Sequence, residues 1–112
     1  MRVTSGLFVS AHIRRCNLDG ASAALVKRGA EDAGAIFVTV DRLDGTVDLY
    51  APAPQTSFDD RPDERLFQCV MERQPPADVE QRLARERRFD SDLWVVAVED
   101  RAGRCFLDLA KT

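Results

Sequence analysis

The run LWVVAV at residues 93–98 constrains the fold more than any other part of the sequence. Its side chains are almost continuously apolar, without the alternating polar positions of a strand that has one face in water. The run therefore predicts a central strand whose two faces are both buried. The rest of the chain must supply the sheet around it.

A second segment, residues 35–42, has the clean alternation of a strand. Ile36, Val38 and Val40 point to one side, and the residues between them point to the other. Asp44 and Gly45 follow, and both accept the positive φ that a tight turn requires. Residues 46–50 then repeat the apolar alternation, so the two segments predict a β-hairpin.

Three further segments are predicted as strands from shorter patterns. Residues 21–28 favour a strand that enters a turn, although their alanines also suit a helix. Residues 65–71 are short and apolar, ahead of a break at two prolines. Residues 104–109 alternate again after a turn at 100–103, which predicts a second hairpin with the central strand.

Two segments are predicted as helices. Residues 4–18 begin with a capping Thr or Ser and group apolar side chains at helical spacing, although their alternation also suits a strand. A second helix begins at Pro76, with acidic residues near its start and arginines toward its end, as the helix dipole favours. Only Val79 and Leu83 form its apolar stripe, which predicts a narrow contact with the sheet.

These elements predict one α+β domain over residues 1–112. Its core is a mostly antiparallel sheet of five or six strands, built from hairpins, with two helices packed on it. A length of 112 residues is typical of a single hydrophobic core. Residues 51–63 carry three of the five prolines and three aspartates, which predicts a flexible, exposed loop.

Charge and cysteine content indicate the cellular compartment of the protein and limit the classes of partner it can bind. The net charge of −3 and a pI near 5.1 give no global attraction to nucleic acid, which is therefore disfavoured as a partner. The N-terminal apolar stretch is broken by Ser10 and His12, so we expect neither a membrane span nor a signal peptide. Cys16, Cys69 and Cys105 are odd in number and far apart, which favours a reducing cytoplasm.

Three blocks of sequence carry a family likeness. They are SAHIRRC at 10–16, KRGAEDAGAIFVTVDRLDG at 27–45 and RERRFDSDLWVVAVEDRAG at 85–103. Together they resemble an uncharacterised family of short alphaproteobacterial proteins, the domain of unknown function numbered fourteen ninety-one. The likeness covers nearly the whole chain and implies a bacterial, free-standing, cytoplasmic protein. The family carries no activity, substrate, cofactor or partner that could be assigned to a residue here.

His12 is the one histidine in the sequence and the one imidazole base available for catalysis. A helix would bring it to the same face as Cys16, four residues on. A catalytic thiol also needs an orienting partner and a lowered pKa, and the sequence shows neither, so we favour a partly buried structural histidine. The usual phosphate-binding, dinucleotide-binding and hydrolase motifs are absent from the sequence.

Metal binding is a weaker hypothesis. His12 and the three cysteines would form an acceptable zinc ligand set, but the sequence has none of the usual close-spaced ligand pairs. Buried, unpaired cysteines are the simpler interpretation. An acidic group in the proline-rich segment would lack the fixed geometry of a cation site, and solubility explains it more simply: Asp59, Asp60, Asp63 and Glu64. We therefore expect no metal and no cofactor.

Arginines are the most concentrated positive feature of an otherwise acidic chain. Guanidinium groups recognise carboxylates and phosphates, so five of them are candidate ligand-binding or partner-binding residues. Acidic residues interleave the second helix, however, and a solvated, salt-bridged face is the simpler interpretation. The five candidates are Arg14, Arg15, Arg82, Arg85 and Arg88.

The sequence favours a non-catalytic intracellular binding or accessory protein. It would contact a partner protein through a sheet edge or through the arginine surfaces, and an open sheet edge would also allow a homodimer. The alternative is a small domain, or an enzyme, that holds an anionic ligand with arginines in a pocket between sheet and helices.

Overall fold

A computed structural model describes residues 3–54 and 64–110 of the chain. Within these residues the secondary structure comprises α1 (Ser5–Leu18), β1 (Ser22–Lys27), β2 (Ile36–Asp41), β3 (Val47–Pro52), β4 (Phe67–Gln74), α2 (Pro76–Phe89) and β5 (Trp94–Glu99). The predicted α+β class is confirmed, with five strands and two helices in the described part of the chain. Neither described helix is long and apolar enough to cross a membrane.

The five strands form one sheet in the order β1-β5-β2-β3-β4. β5 runs parallel to β2, and every other neighbouring pair is antiparallel. β5 therefore has a neighbour on either side, as its apolar sequence predicted. Val96 and Val98 within it have no exposed surface. Burying a valine of this kind contributes about 1.5–3 kcal/mol to stability.

The two helices lie on opposite faces of the sheet. Alternate side chains of β2 and β5 point to each face, because successive residues of a strand face opposite ways. On one face, Val9 and Cys16 of α1 pack against alternate valines of β2 and β5. On the other face, Val79 and Leu83 of α2 pack against a second cluster, which includes Phe37, Val47, Leu49, Ala51, Leu93 and Val95. The narrow apolar seam expected for α2 is confirmed.

The local signals for α1 and for the β2–β3 hairpin are also confirmed. Thr4 caps α1, and its Oγ1 accepts a hydrogen bond from the backbone N–H of Leu7 at 3.2 Å. In the hairpin, Gly45 has the predicted positive φ, at 90°, whereas the other positive φ belongs to Leu43, at 61°, and not to Asp44 as predicted. Asp44 stabilises the turn by accepting hydrogen bonds from the backbone N–H and the hydroxyl of Thr46.

The prediction of a strand over residues 104–109, paired with β5, is wrong. Both edges of β5 are already occupied by β1 and β2, so no position is left for a hairpin partner. The chain instead turns at Gly103 and Phe106, which have φ of 76° and 58°, and packs against the α1 side of the core. It ends as a single parallel bridge between Leu109 and Phe67.

Two boundaries also differ from the prediction. β3 continues through Pro52, so the first two residues of the loop predicted at 51–63 belong to a strand. Residues 55–63 of that predicted loop lie outside the described residues. The strand predicted at 65–71 is shifted toward the C-terminus and forms β4.

Candidate binding surfaces

The five candidate arginines form two separate surfaces. Arg14 and Arg15 lie on α1, whereas Arg82, Arg85 and Arg88 lie on α2. Because the helices pack on opposite faces of the sheet, the structure does not bring the two groups together.

The arginines of α2 are partly neutralised by their neighbours. Nε of Arg82 donates to Oε1 of Glu86 at 3.0 Å, an ion pair between residues one helical turn apart. Arg82 and Arg85 also line a shallow recess of about 220 Å³ between α2 and β4, together with Asp78. Arg85 and Arg88 themselves are exposed. This surface therefore carries mixed charge.

The α1 arginines are also exposed. Nε of Arg15 lies 4.0 Å from a carboxylate oxygen of Asp19, a loose and solvated ion pair. Arg15 borders an open cavity of about 150 Å³ between α1 and the C-terminal segment. That cavity also reaches His12.

His12 and Cys16 come together as their spacing predicted, with Sγ of Cys16 3.6 Å from Nε2 of His12. Nε2 is also 2.8 Å from the carbonyl oxygen of Cys105, which can only accept, so the ring carries its proton on Nε2. Burial lowers the pKa of His12, and burial raises the pKa of the Cys16 thiol to about 11. The pair is therefore a neutral imidazole beside a protonated thiol, which is the opposite of an activated nucleophile.

The cysteines are unpaired, with Cys16 and Cys105 buried and Cys69 exposed. Among residues 3–54 and 64–110, no group of three or more His, Cys, Asp or Glu side chains is arranged to hold a metal ion. Of the acidic group considered from the sequence, Asp59, Asp60 and Asp63 lie outside the described residues.

Trp94 is part of the core, as its strand context predicted. Its side chain is 1% exposed, and its indole N–H donates to the carbonyl oxygen of Ala30 at 2.8 Å. The guanidinium of Arg28 covers the ring at 5.4 Å from the centroid.

A groove of about 300 Å³ lies on the α2 side of the sheet, beside the helix. α2 packs on β3 and β4, and its apolar seam shares a buried cluster with Phe37 and Val95 in the first halves of β2 and β5. Among residues 3–54 and 64–110, no helix covers β1 or the C-terminal halves of β2 and β5 on this face. The floor of the groove consists of small side chains from these three strands, which face one another across the sheet: Ser22, Ala24, Thr39 and Ala97.

Carboxylates surround one end of this groove. Asp41 lies beside Glu99 in the parallel β2–β5 pairing, and Glu80 approaches from the first half of α2. None of the three forms an ion pair within the described residues. We refer to the four floor residues and these three carboxylates as the acidic groove.

Sequence reasoning missed the acidic groove because its three carboxylates come from three distant segments. Their proximity depends on the parallel pairing of β2 with β5 and on the position of α2. The alternation of β2 did place Thr39 and Asp41 on one face, which was the one available signal.

Both edges of the sheet are partly blocked. At β1, the side-chain amide of Asn17 accepts from the backbone N–H of Ala23 at 2.9 Å and donates to its carbonyl oxygen at 3.5 Å. At β4, the N–H of Phe67 donates to the carbonyl oxygen of Asp108, and the N–H of Ala110 donates to the carbonyl oxygen of Phe67. Covering an edge in this way hinders pairing with another chain.

Fold and surfaces together define a small α+β protein with one helix on each face of a mostly antiparallel sheet and an acidic half-face that no described helix covers. The chain belongs to the family described as a protein of unknown function, DUF1491, whose sequence profile matches residues 3–108. The family expectation from the three sequence blocks is thus confirmed. No curated protein matches the chain.

Solved structures of relatives share the whole fold. The solution structure of protein Atu0922 from A. tumefaciens is 45% identical, with a TM-score of 0.87 over 100% of this chain and 98% of that one. The crystal structure of a DUF1491 family protein from Caulobacter crescentus is 34% identical, with a TM-score of 0.81 over 99% of this chain and 100% of that one. An NMR structure of a DUF1491 family protein from the same organism, also 34% identical, has a TM-score of 0.82 over 100% of this chain and 99% of that one.

Proposed function

We propose that the protein is a non-catalytic binding module that recognises a partner protein through the acidic groove. The observation that carries this proposal is the uncovered half of the sheet on the α2 side. On this side no described helix lies over β1 or over the C-terminal halves of β5 and β2, and Ser22, Ala24 and Glu99 are exposed there.

The charge of the groove indicates what kind of segment it would accept. Three carboxylates without ion-pair partners in the described residues attract lysine or arginine side chains. Ala24 and Ala97 on the floor leave room for a partner's backbone to approach closely. A basic, small-side-chain segment of another protein fits this chemistry best.

The acidic groove is a better docking surface than either edge of the sheet. Asn17 already occupies the outward N–H and C=O of Ala23, and the C-terminal segment occupies those of Phe67. Edge-to-edge homodimerisation therefore has few free backbone groups at these positions, and we propose a monomer that binds a different protein.

The proposal includes a cytoplasmic location, supported by three cysteines that remain free. It assigns a secondary role to the candidate arginines. Arg85 and Arg88 are exposed on α2, whose Glu80 borders the acidic groove, so they could contact acidic residues of the same partner.

The test is a comparative capture from an alphaproteobacterial lysate. The bait variant neutralises the groove with three near-isosteric changes: Asp41→Asn, Glu80→Gln and Glu99→Gln. Asp41→Asn retains an oxygen that can accept from the N–H of Leu43, so the hairpin is preserved. The matched control neutralises the other surface with Arg85→Gln and Arg88→Gln.

We expect proteins captured by the wild type to be released by moderate salt, lost with the groove variant and retained by the arginine control. Loss with the arginine control alone would contradict the groove and favour the α2 surface. Circular dichroism of each bait checks that the fold is unchanged.

A further inference from the structure

The acidic groove lies beside α2, on the part of the sheet that no described helix covers. Its floor includes a row of small side chains across three strands, because Ala24 pairs with Ala97 and Ala97 pairs with Thr39. The next row on the same face carries the carboxylates of Glu99 and Asp41. The groove therefore has small side chains along its middle and an acidic end.

The position of the floor relative to α2 matches the spacing of two packed helices. Adjacent strands lie about 4.8 Å apart and packed helices about 8–10 Å apart, so a second helix beside α2 is displaced by about two strands. α2 contacts β3 and β4, and two strands further across the sheet lie β5 and β2. Their C-terminal halves form the floor together with β1. The floor therefore lies where a second helix of this layer would pack.

The backbone of the floor disfavours an extended occupant. β5 is paired with β1 on one side and with β2 on the other, so its peptide groups are already hydrogen-bonded within the sheet. An extended segment on this face would lack partners for many of its own N–H and C=O groups, which is costly once water is excluded. A helix satisfies its own backbone groups, and Ala24 and Ala97 allow it to approach the sheet closely.

The flank of α2 beside the groove carries opposite charges at its two ends. Pro76 and Glu80 line the groove, and helical spacing places Ala84 and Arg87 on the same flank as Glu80. Glu80, Ala84 and Arg87 are all exposed. A helix normally has acidic residues near its N-terminus and basic residues near its C-terminus, as its dipole favours. Such a helix matches the charges of this flank when it runs antiparallel to α2.

We infer that the acidic groove receives an amphipathic helix of the partner protein, antiparallel to α2. The helix presents small side chains to Ala24 and Ala97. Basic side chains near its C-terminus meet the three carboxylates of the groove, and an acidic side chain near its N-terminus meets Arg87. This inference rests on the proposed function and specifies the occupant of the same site.

The probe is a synthetic alanine-rich peptide of about 16 residues, with glutamates in its first turn and lysines in its last two turns. Because isolated helices of this length are marginal in water, a lactam bridge between outward-facing residues holds the peptide helical. One control peptide has the same bridge and the reversed charge order. The other is linear and carries two central prolines, so it cannot form the helix.

Titration of these peptides into the ¹⁵N-labelled protein tests the inference. We expect the helical peptide to shift the amide resonances of Ala24, Ala97 and Glu99, the reversed peptide to bind at least about threefold more weakly, and the proline peptide to leave these resonances unmoved. The groove variant with Asp41→Asn, Glu80→Gln and Glu99→Gln should weaken the helical peptide about tenfold. The control variant with Arg85→Gln and Arg88→Gln should bind it as the wild type does.

A nitroxide label at the C-terminus of the helical peptide tests its direction. It should broaden the amide resonance of Glu99 more than that of Lys27, near the other end of β1. The inference is overturned if the millimolar helical peptide leaves the floor resonances unmoved, if the proline peptide shifts them equally, or if Lys27 is the more broadened.

The proposed function is tested separately by the capture experiment. A captured partner that depends on the groove, without binding of the helical peptide, would reject the helix alone. Binding of the helical peptide, without any captured partner that depends on the groove, would reject the proposed function alone.

Discussion

His12 and Cys105 join the first helix to the C-terminal segment through a buried hydrogen bond. Nε2 of His12 lies 2.8 Å from the carbonyl oxygen of Cys105, across 93 residues of sequence. This bond replaces the strand pairing that the sequence predicted for residues 104–109, and it forms one side of the cavity next to α1. This bond ties the C-terminal segment to α1, whereas its backbone hydrogen bonds with Phe67 tie it to β4.

Stability should fall when the pH drops below the ordinary histidine pKa of 6.5. Burial lowers the pKa of His12 in the folded state, so below 6.5 the unfolded chain takes up a proton that the folded chain excludes. The loss continues down to the folded pKa, with a slope of at most about 1.4 kcal/mol per pH unit. Urea unfolding at about pH 8 and about pH 5.5 measures this loss of unfolding free energy.

His12→Gln is the control for this pH effect, because its amide can still donate to the Cys105 carbonyl and cannot titrate. We expect the stability of the wild type relative to His12→Gln to decrease on acidification. If the difference in unfolding free energy between the wild type and His12→Gln were the same at both pH values, His12 would titrate in the folded protein as it does in the unfolded chain.

Thiol reactivity should distinguish the three cysteines. Cys69 is exposed, whereas Cys16 is fully buried and burial raises its pKa to about 11. Iodoacetamide near neutral pH should therefore modify Cys69 first and leave Cys16 unmodified until the chain unfolds. Mass spectrometry of the alkylated peptides measures the order. Fast alkylation of Cys16 would restore the hypothesis of a His12-activated nucleophile.

Asp48 should be the charged residue on which stability depends most. It has no exposed surface, pairs with Nε of Arg42 at 2.9 Å and accepts from the backbone N–H of Arg73 at 2.8 Å. Asp48→Ala leaves both donors without their acceptor, and we expect a loss of about 3 kcal/mol in unfolding free energy. Asp44→Ala, at an exposed hairpin position, is the comparison and should cost much less, because water replaces the lost hydrogen bonds. Similar losses at the two sites would contradict this account.

Asn17 should keep the sheet monomeric. Asn17→Ala exposes the N–H and C=O of Ala23 on the outer edge of β1, where Val26 is already 56% exposed. We expect a loss of about 1 kcal/mol in stability and a new tendency to dimerise, detected by analytical ultracentrifugation. Arg14→Ala on the same helix is the control. A variant that stays monomeric at all concentrations would show that Asn17 does not protect the edge.

Periodicity and local caps were sufficient to predict most of the secondary structure. The alternation at 35–42 and the apolar run at 93–98 predicted β2 and β5, and Thr4 marked the start of α1. A similar alternation at 104–109 led to the wrong prediction of a strand there. The pattern of side chains does not show that β5 already has a neighbouring strand on each side.

The candidate sites were harder to predict from the sequence than the secondary structure was. The contact between His12 and Cys16 follows from helical spacing, but the contact with Cys105 depends on the path of the C-terminal segment. The acidic groove likewise depends on which strands α2 leaves uncovered, and no local pattern encodes that position.

The central claim is that the uncovered half-face of the sheet receives a partner protein. Site-specific photo-crosslinking in a living alphaproteobacterium tests it most directly, with a photoreactive residue at Ala24 on the groove floor or at Arg85 on α2. We predict a discrete covalent adduct from Ala24, diminished by Glu99→Gln, and a weaker adduct from Arg85, which has only a secondary contact with the partner. An adduct from Arg85 alone, or none from Ala24, would contradict the assignment of this face as the docking surface.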